Sequence, residues 1–227
     1  MSVLALRSPV ASADRRWTSA RSCEEVADLA AIFAARVNVC VLRRPGVSGF
    51  VRDAMLAVGP SWRWLEDVDA ATWNGESLFA ALPQRAESWG RRSVVEDVRL
   101  WAEVLGELTG AQRVGIRLQR LDAPMCPRFH VDRVTLRLVA TYLGGGTEWL
   151  DGRDVDRRWL GHAACGASDE TSGLIRPGGT VLTAAPGDVV LLKGEAWPGN
   201  VGRGAVHRSP AVPEGTARVV LTIDPLA

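Results

Sequence analysis

The pattern of apolar positions divides the chain into a helical first half and a strand-rich second half. The run SCEEVADLAAIFAARV predicts a helix that begins at Ser22, with Glu25 three residues later as in a capping box. Its core face holds four apolar positions: Val26, Leu29, Ile32 and Phe33. The next run, VNVCVL (37–42), is a short strand pattern that Arg44-Pro45-Gly46 ends, and residues 47–58 predict another helix. We interpret residues 59–90 as short helices and loops.

A longer helix is predicted from Ser93, which repeats the capping-box pattern with Glu96, to the residue before Gly110. After it, runs rich in β-branched residues alternate with Gly, Pro and Asp turns: RVGIRLQRL, VTLRLVATYL, TVLTAA, DVVLLKG and ARVVLTI. This pattern predicts an α+β protein in one compact unit. A mainly helical region, 1–110, packs on a largely β region, 111–227, which forms a sandwich or barrel.

Composition narrows the function classes. The chain has 227 residues, 47% of them hydrophobic, and a net charge of +1, which is typical of a packed protein and not of a general nucleic-acid binder. Lys193 is the single lysine, so Schiff-base chemistry is not expected. No apolar run reaches membrane length, and Met1 to Arg7 is too short for a signal peptide. The four cysteines form no C-x-x-C pair, and we interpret them as reduced thiols. Together these features predict a cytoplasmic protein without membrane contact.

Three histidines limit any imidazole chemistry to His130, His162 and His207. His130 and Asp132 are two residues apart in a strand-like context, so both side chains point to one face and can bind one ion. His162 and Cys165 form an H-x-x-C in a glycine-flanked segment, which we interpret as a surface loop because no second pair accompanies it.

The order of motifs after His130 is informative. H-x-D is followed by APGDVVLLKGE, then GAVHRSP, then EGTARVVLTIDP. This order resembles the C-terminal half of the iron(II)- and 2-oxoglutarate-dependent oxygenases, whose core is a double-stranded β-helix, a cupin-like jelly roll. The resemblance implies that His130, Asp132 and His207 bind Fe(II). It implies that Arg218 pairs with the far carboxylate of 2-oxoglutarate. Thr222 shares the strand face of Arg218 and could hydrogen-bond the same carboxylate.

Three aromatic residues have two interpretations each. Tyr142, the only tyrosine, lies on the strand after H-x-D, where the oxygenases often contact the cosubstrate, but it also suits a core position. Trp149 and Trp197 flank strand ends near the expected mouth, where they would stack on a substrate or simply pack. Arg208 should point away from His207, into a salt bridge.

The motif C-P-x-F-H-x-D-x-V-x-L-R-L, with T-Y-L-G-G-G-T-E-W behind it, is also similar to an uncharacterised bacterial domain-of-unknown-function family. Members are often encoded near zinc-homeostasis genes, which implies a metal-linked role. Cys126 is either a thiolate near the metal, which would favour zinc, or a free thiol.

These observations predict a dioxygenase that oxidises an unknown small-molecule or protein substrate and releases succinate and CO2. Two alternatives use the same three ligands: a non-catalytic cupin-like zinc or iron protein, and a zinc hydrolase. Arg218 distinguishes the oxygenase from these two alternatives, because only the oxygenase needs a basic residue that faces the metal and anchors the cosubstrate. The sequence leaves the oligomeric state open.

Overall fold

The computed structural model describes residues 18–226 as two β-sheets with helices on one side. The strands, in chain order, are β1 Ser19–Cys23, β2 Val37–Leu42, β3 Arg63–Asp69, β4 Arg113–Leu121, β5 Leu136–Leu143, β6 Glu148–Leu150, β7 Val181–Thr183, β8 Val189–Lys193, β9 Val206–Arg208 and β10 Arg218–Pro225. The large sheet has the order β1-β2-β8-β5-β10-β4-β3, and the small sheet has the order β7-β6-β9. The α-helices are α1 Gly49–Leu56, α2 Glu76–Ala81 and α3 Ser88–Thr109, and 3-10 helices span Val26–Phe33, Gly152–Asp154, Arg157–Trp159 and Gly161–Ala164.

From β4 onward the chain passes repeatedly between the two sheets. β4, β5, β8 and β10 are neighbours in the large sheet, while β6, β7 and β9 form the small one, and His130 bridges to β9. All of these pairings are antiparallel. This alternation is consistent with a jelly roll, although the sheets do not close into a barrel.

The two faces of the large sheet have different roles because strand side chains alternate. One face packs on α1 and α3 and forms the main core, with Ile116, Leu138 and Leu221 among its buried residues. The other face turns toward the small sheet, where a smaller cluster includes Val139 and Val220. The candidate site lies on this second face.

The long helix ends where the sequence predicts, because Gly110 adopts a left-handed conformation (φ +68°) that suits glycine at a helix C-terminus. Its start is different. α3 begins at Ser88 behind Glu87, so Ser93 is an interior residue and not a cap.

The α-helix predicted to begin at Ser22 is wrong in two respects: the helix is of the 3-10 type, and it begins later in the chain. Ser22 belongs to β1, and a short 3-10 helix follows, capped by reciprocal hydrogen bonds between Glu25 and Asp28. A 3-10 helix aligns positions three apart, so Leu29 and Ile32 are buried together while Phe33 is 55% exposed.

The predicted boundary at residue 110 does not separate the helices from the large sheet. β1, β2 and β3 come from the first 110 residues and pair in the same sheet as the later strands, so that region supplies strands as well as helices. The sequence analysis missed β3 because this edge strand buries only Val68 completely.

Among residues 18–226, no helix combines the length and hydrophobicity needed to cross a bilayer. Met1 to Arg7 lies outside the described residues, and the cytoplasmic location stays a prediction.

Candidate metal centre

His130, Asp132 and His207 converge on one point between the two sheets. His130 and His207 are directly opposed, each backbone N–H donating to the other's carbonyl oxygen at 3.0 Å, and their ring centroids are 4.4 Å apart. One potential ligand atom from each of the three residues lies within 4.8 Å of the other two, a spacing at which they could hold a single ion.

Backbone carbonyls fix the tautomer of both histidines. The Nδ1 atom of His130 is 2.9 Å from the carbonyl oxygen of Arg128, and that of His207 is 3.0 Å from the carbonyl oxygen of Ala205. A carbonyl oxygen can only accept, so each Nδ1 carries a proton and each Nε2 faces the site. Nε2 of His207 lies 3.2 Å from Oδ2 of Asp132, and Nε2 of His130 lies 3.8 Å from Oδ1. A neutral Nε2 and a carboxylate are both acceptors, so a proton or a metal cation must stand between them.

The loop that carries Asp132 is held by a close contact with the backbone of Gly194 and Glu195. The backbone N–H of Glu195 donates to the Asp132 carbonyl oxygen at 2.9 Å. A Cβ atom on Gly194 would stand 1.9 Å from the carbonyl oxygen of Val134, so only glycine fits there. The G of LLKGE therefore serves the H-x-D loop from a distant part of the chain.

Asp132 is held in its ionised form. Burial opposes ionisation, but the hydrogen bond from His207 and the charges of His207, Arg137 and His130 outweigh it and lower the pKa of Asp132 to about 2. The pKa of His130 is also lowered, first by burial and then by the charge of His207. Both shifts favour the forms that bind metal, a carboxylate and a neutral imidazole.

Arg137 on β5 lies behind the carboxylate. Its Nη1 donates to Oδ2 of Asp132 at 2.8 Å, while Nε and Nη2 donate to the two carboxylate oxygens of Asp224 at 2.7 Å each. Asp132 thus lies between Arg137 and the histidines in a series of polar contacts that begins at Asp224.

Arg218 on β10 lies at the other end of the same pocket and is only 3% exposed. Its guanidinium donates to three hydroxyl oxygens, those of Ser209 at 3.0 Å and of Thr141 and Thr147 at 3.1 Å each. Its Nε is buried without a hydrogen-bond partner. Within residues 18–226 no carboxylate forms an ion pair with it. Burial lowers the pKa of Arg218 to about 10, and the charge of Glu148, which is ion-paired with Arg208, opposes this shift only in part.

The pocket between these groups joins two of the metal ligands, His130 and His207, to Arg218. Thr222, Val220 and Val139 form part of its wall on the large sheet. Its lining residues are Met125, Cys126, His130, Arg137, Val139, Thr147, His207, Arg208, Ser209, Arg218, Val220 and Thr222. Arg218 and Thr222 therefore face the metal ligands across one pocket.

Tyr142 does not lie in this pocket. It is on the helix-facing side of β5, where its hydroxyl donates to Oδ2 of Asp97 at 2.7 Å and burial raises its pKa. Strand alternation is the reason, because it is Thr141, one residue earlier, that faces Arg218. The predicted cosubstrate contact by Tyr142 is wrong.

The two tryptophans have different surroundings. Trp149 is buried between the sheets opposite His207, and its Nε1 has no hydrogen-bond partner, but it does not line the pocket. Trp197 packs on Phe33 and on the Lys193 ammonium group, which lies 4.8 Å from its ring, next to the helical core. Neither tryptophan is among the residues that line the pocket.

Arg208 forms ion pairs with Glu148 at 2.7 Å, Glu170 at 2.9 Å and Asp169 at 3.0 Å, as predicted. It is also one of the residues that line the pocket, so it does not point entirely away from the site. Cys126 lines the pocket, but it is not among the residues whose ligand atoms meet within 4.8 Å. Cys165 is exposed, as expected of a surface loop.

Sequence reasoning missed Arg137 and the three hydroxyl residues around Arg218. Thr141 was within reach, because it lies on the same face of β5 as Arg137 and Val139. Thr147 depends on tertiary structure: a Cβ on Gly146 would meet the Ala184 carbonyl oxygen at 2.0 Å, so this glycine allows the loop to reach Arg218. Ser209 follows β9, and no sequence pattern indicates that it contacts Arg218.

Solved structures with some likeness to the chain include three oxygenases. A dioxygenase for auxin oxidation from rice is 18% identical, with a TM-score of 0.46, and the match covers 92% of this chain and 83% of that one. Its Arabidopsis thaliana counterpart, in a complex with 2-oxoglutarate, is 14% identical at 0.47 over 92% of both chains. A Pseudomonas putida prolyl-4-hydroxylase is 14% identical at 0.44 over 89% of this chain and 99% of that one. At these scores the likeness carries no argument about function.

The search of curated proteins finds no match. A family model described as "Protein of unknown function (DUF1826)" matches residues 23–224, nearly the whole described chain. The chain belongs to the DUF1826 family.

Proposed function

We propose that the protein is an Fe(II)- and 2-oxoglutarate-dependent dioxygenase built on a double-stranded β-helix. His130, Asp132 and His207 would hold the iron, and Arg218 with Thr222 would bind the far carboxylate of 2-oxoglutarate. The overall reaction consumes 2-oxoglutarate, dioxygen and a substrate C–H bond, and it yields succinate, CO2 and the hydroxylated substrate.

The state of Arg218 is the observation that carries this proposal. A buried guanidinium is costly unless a carboxylate pairs with it, and Arg218 has only hydroxyl partners and one unpartnered N–H among the described residues. An anion with a planar carboxylate would supply the missing charge and acceptors. Because the same pocket is lined by His130 and His207, that anion can also reach the metal.

The donor set suits iron. Two imidazoles and one carboxylate form the facial arrangement typical of non-haem Fe(II) oxygenases, and they leave positions for a bidentate cosubstrate and dioxygen. When bound, iron and 2-oxoglutarate supply the oxidising chemistry, and the chain supplies binding and orientation. His130 and His207 present Nε2, since their Nδ1 protons are held by backbone carbonyls. Val139 and Val220 give the pocket an apolar wall that limits water around the reacting groups.

Arg218 also separates this proposal from the two alternatives. A zinc or iron store needs the three ligands only, and a zinc hydrolase needs in addition an open position for water. Neither function accounts for a buried, unpaired guanidinium at the far end of the pocket.

Anaerobic reconstitution tests the proposal. The protein is loaded with Fe(II), 2-oxoglutarate is added, and the visible charge-transfer band of the chelate is followed before air is admitted and succinate is measured. The expected result is a band and succinate from the wild type and from Arg120→Ala. Arg120 is a suitable control because it is an ion-paired arginine on the neighbouring strand β4, outside the pocket. Tight zinc binding with no band would overturn the proposal in favour of a metal-binding protein.

A further inference from the structure

The metal centre includes a charged group that touches no ligand atom of the histidines, the Arg137 guanidinium. It lies between two carboxylates, and all three side chains are mostly buried, with exposed fractions of 20% for Arg137, 14% for Asp132 and 18% for Asp224. We propose that Arg137 is a positioning residue that binds one oxygen of Asp132 and thereby restricts this carboxylate to one-oxygen metal binding. The inference rests on the proposed metal centre but not on the proposed reaction.

Asp224 fixes the direction of the guanidinium. Arg137 on β5 and Asp224 on β10 flank the paired residues Leu138 and Ile223, so the two side chains lie on the same face of neighbouring strands. Asp224 accepts from both Nε and Nη2 at 2.7 Å, a bidentate pair that sets the plane of the guanidinium. With this plane fixed, Nη1 points at Oδ2 of Asp132 from 2.8 Å.

Asp224 also balances the charge. An arginine beside a metal site repels the cation, but Arg137 is flanked by two carboxylates, so the trio carries one net negative charge toward the ion. Asp224 therefore offsets part of the repulsion between the guanidinium and a metal cation.

This restraint changes how many positions the metal keeps free. A carboxylate can bind an ion through one oxygen or both. On a six-coordinate ion, two imidazoles and one oxygen leave three positions, whereas a two-oxygen carboxylate leaves two. Oδ2 already accepts from Nη1 of Arg137 at 2.8 Å and also lies 3.2 Å from Nε2 of His207. Symmetric binding of an ion through both carboxylate oxygens is therefore disfavoured, and the third position stays open.

The test counts water molecules on bound Mn(II), without 2-oxoglutarate. Broadening of the Mn(II) electron paramagnetic resonance lines by 17O-enriched water gives the number of coordinated waters. We expect about three waters for the wild type and for Arg120→Ala, and about two for Arg137→Gln and Asp224→Asn, as follows from six-coordination. Mn(II) affinity in these two variants should fall roughly 10- to 100-fold, the usual effect of losing such a supporting contact.

Arg137→Gln and Asp224→Asn are chosen because they conserve most of the buried volume, and circular dichroism verifies that each is folded. About three waters and wild-type affinity in both variants would show that Arg137 is only a structural ion pair. Complete loss of Mn(II) binding in a folded variant would also contradict the proposal, which assigns Arg137 the binding mode of Asp132 and not the existence of the site. If the wild type fails to bind Mn(II), the metal centre itself is refuted, whereas a correct water count without 2-oxoglutarate turnover refutes only the proposed reaction.

Discussion

Replacing Arg218 with methionine should separate binding of the cosubstrate from stability of the fold. Methionine fills much of the same space without a charge. If Arg218 exists to bind an anion, Arg218→Met should weaken 2-oxoglutarate binding strongly and change the free energy of unfolding of the unliganded protein little. An ordinary buried, ion-paired arginine behaves in the opposite way, since its removal leaves a charged partner unpaired.

The magnitude follows from the surroundings of Arg218. Burial lowers its pKa from 12.5 to about 10, which corresponds to roughly 3 kcal/mol of unfavourable free energy for the charged form in the fold. Its three hydrogen bonds to hydroxyl groups offset this by about 1 kcal/mol each. The two contributions nearly cancel, so we expect Arg218→Met to shift the free energy of unfolding by no more than about 1 kcal/mol.

Binding should respond differently, because the hydrogen bonds of a buried pair of opposite charges, unlike those to neutral hydroxyl groups, contribute about 2–3 kcal/mol. Their loss corresponds to roughly a 30- to 150-fold weaker affinity for 2-oxoglutarate. Calorimetric titration of the Mn(II)-loaded protein measures this affinity, and urea unfolding of the metal-free protein measures stability. Arg120→Ala should bind 2-oxoglutarate like the wild type. A loss of stability above about 3 kcal/mol with unchanged affinity would show that Arg218 is structural and refute the reasoning.

Three further predictions follow from the site. His207→Ala should abolish Fe(II) and Mn(II) binding in equilibrium dialysis, since no other described imidazole stands opposite His130; retained binding would refute the ligand set. The pKa of Asp132 is lowered from 3.8 to about 2 on folding, so its charge stabilises the fold by roughly 2 kcal/mol above pH ~4, and this contribution is lost as the pH falls toward 2. Asp132→Asn should therefore cost more stability at neutral pH than in acid, and equal costs in urea unfolding would contradict the pKa shift. Tyr142→Phe should lower the free energy of unfolding by about 1.5–3 kcal/mol through loss of its hydrogen bond to the charged Asp97, with metal and 2-oxoglutarate binding unchanged; weaker 2-oxoglutarate binding would indicate that Tyr142 contacts the cosubstrate.

The sequence predicted those parts of the site that depend on strand alternation and order. Arg218 and Thr222 share a face of β10 because they are four residues apart. His130 and Asp132 do meet at one site as predicted, but Asp132 lies in the loop after the bridge residue His130, and not in a strand. The same rule failed for Tyr142, because alternation tells which residues share a face and not which face meets the helices.

Other features depend on contacts between distant parts of the chain. Arg137 meets Asp224 across 87 positions, and Arg218 meets Thr141 across 77, so no local pattern connects these residues. β3 was missed for a different reason: it is an edge strand with several exposed positions, and the apolar pattern is therefore weak.

Release of CO2 from 2-oxoglutarate labelled in its first carboxyl group is the most direct test of the proposed reaction. The Fe(II)-loaded wild type in air should release labelled CO2 and form succinate in equal amounts, and His207→Ala should release none above the protein-free control. If the wild type binds metal tightly through these three residues but releases no more labelled CO2 than His207→Ala, the chain is not a 2-oxoglutarate-dependent oxygenase.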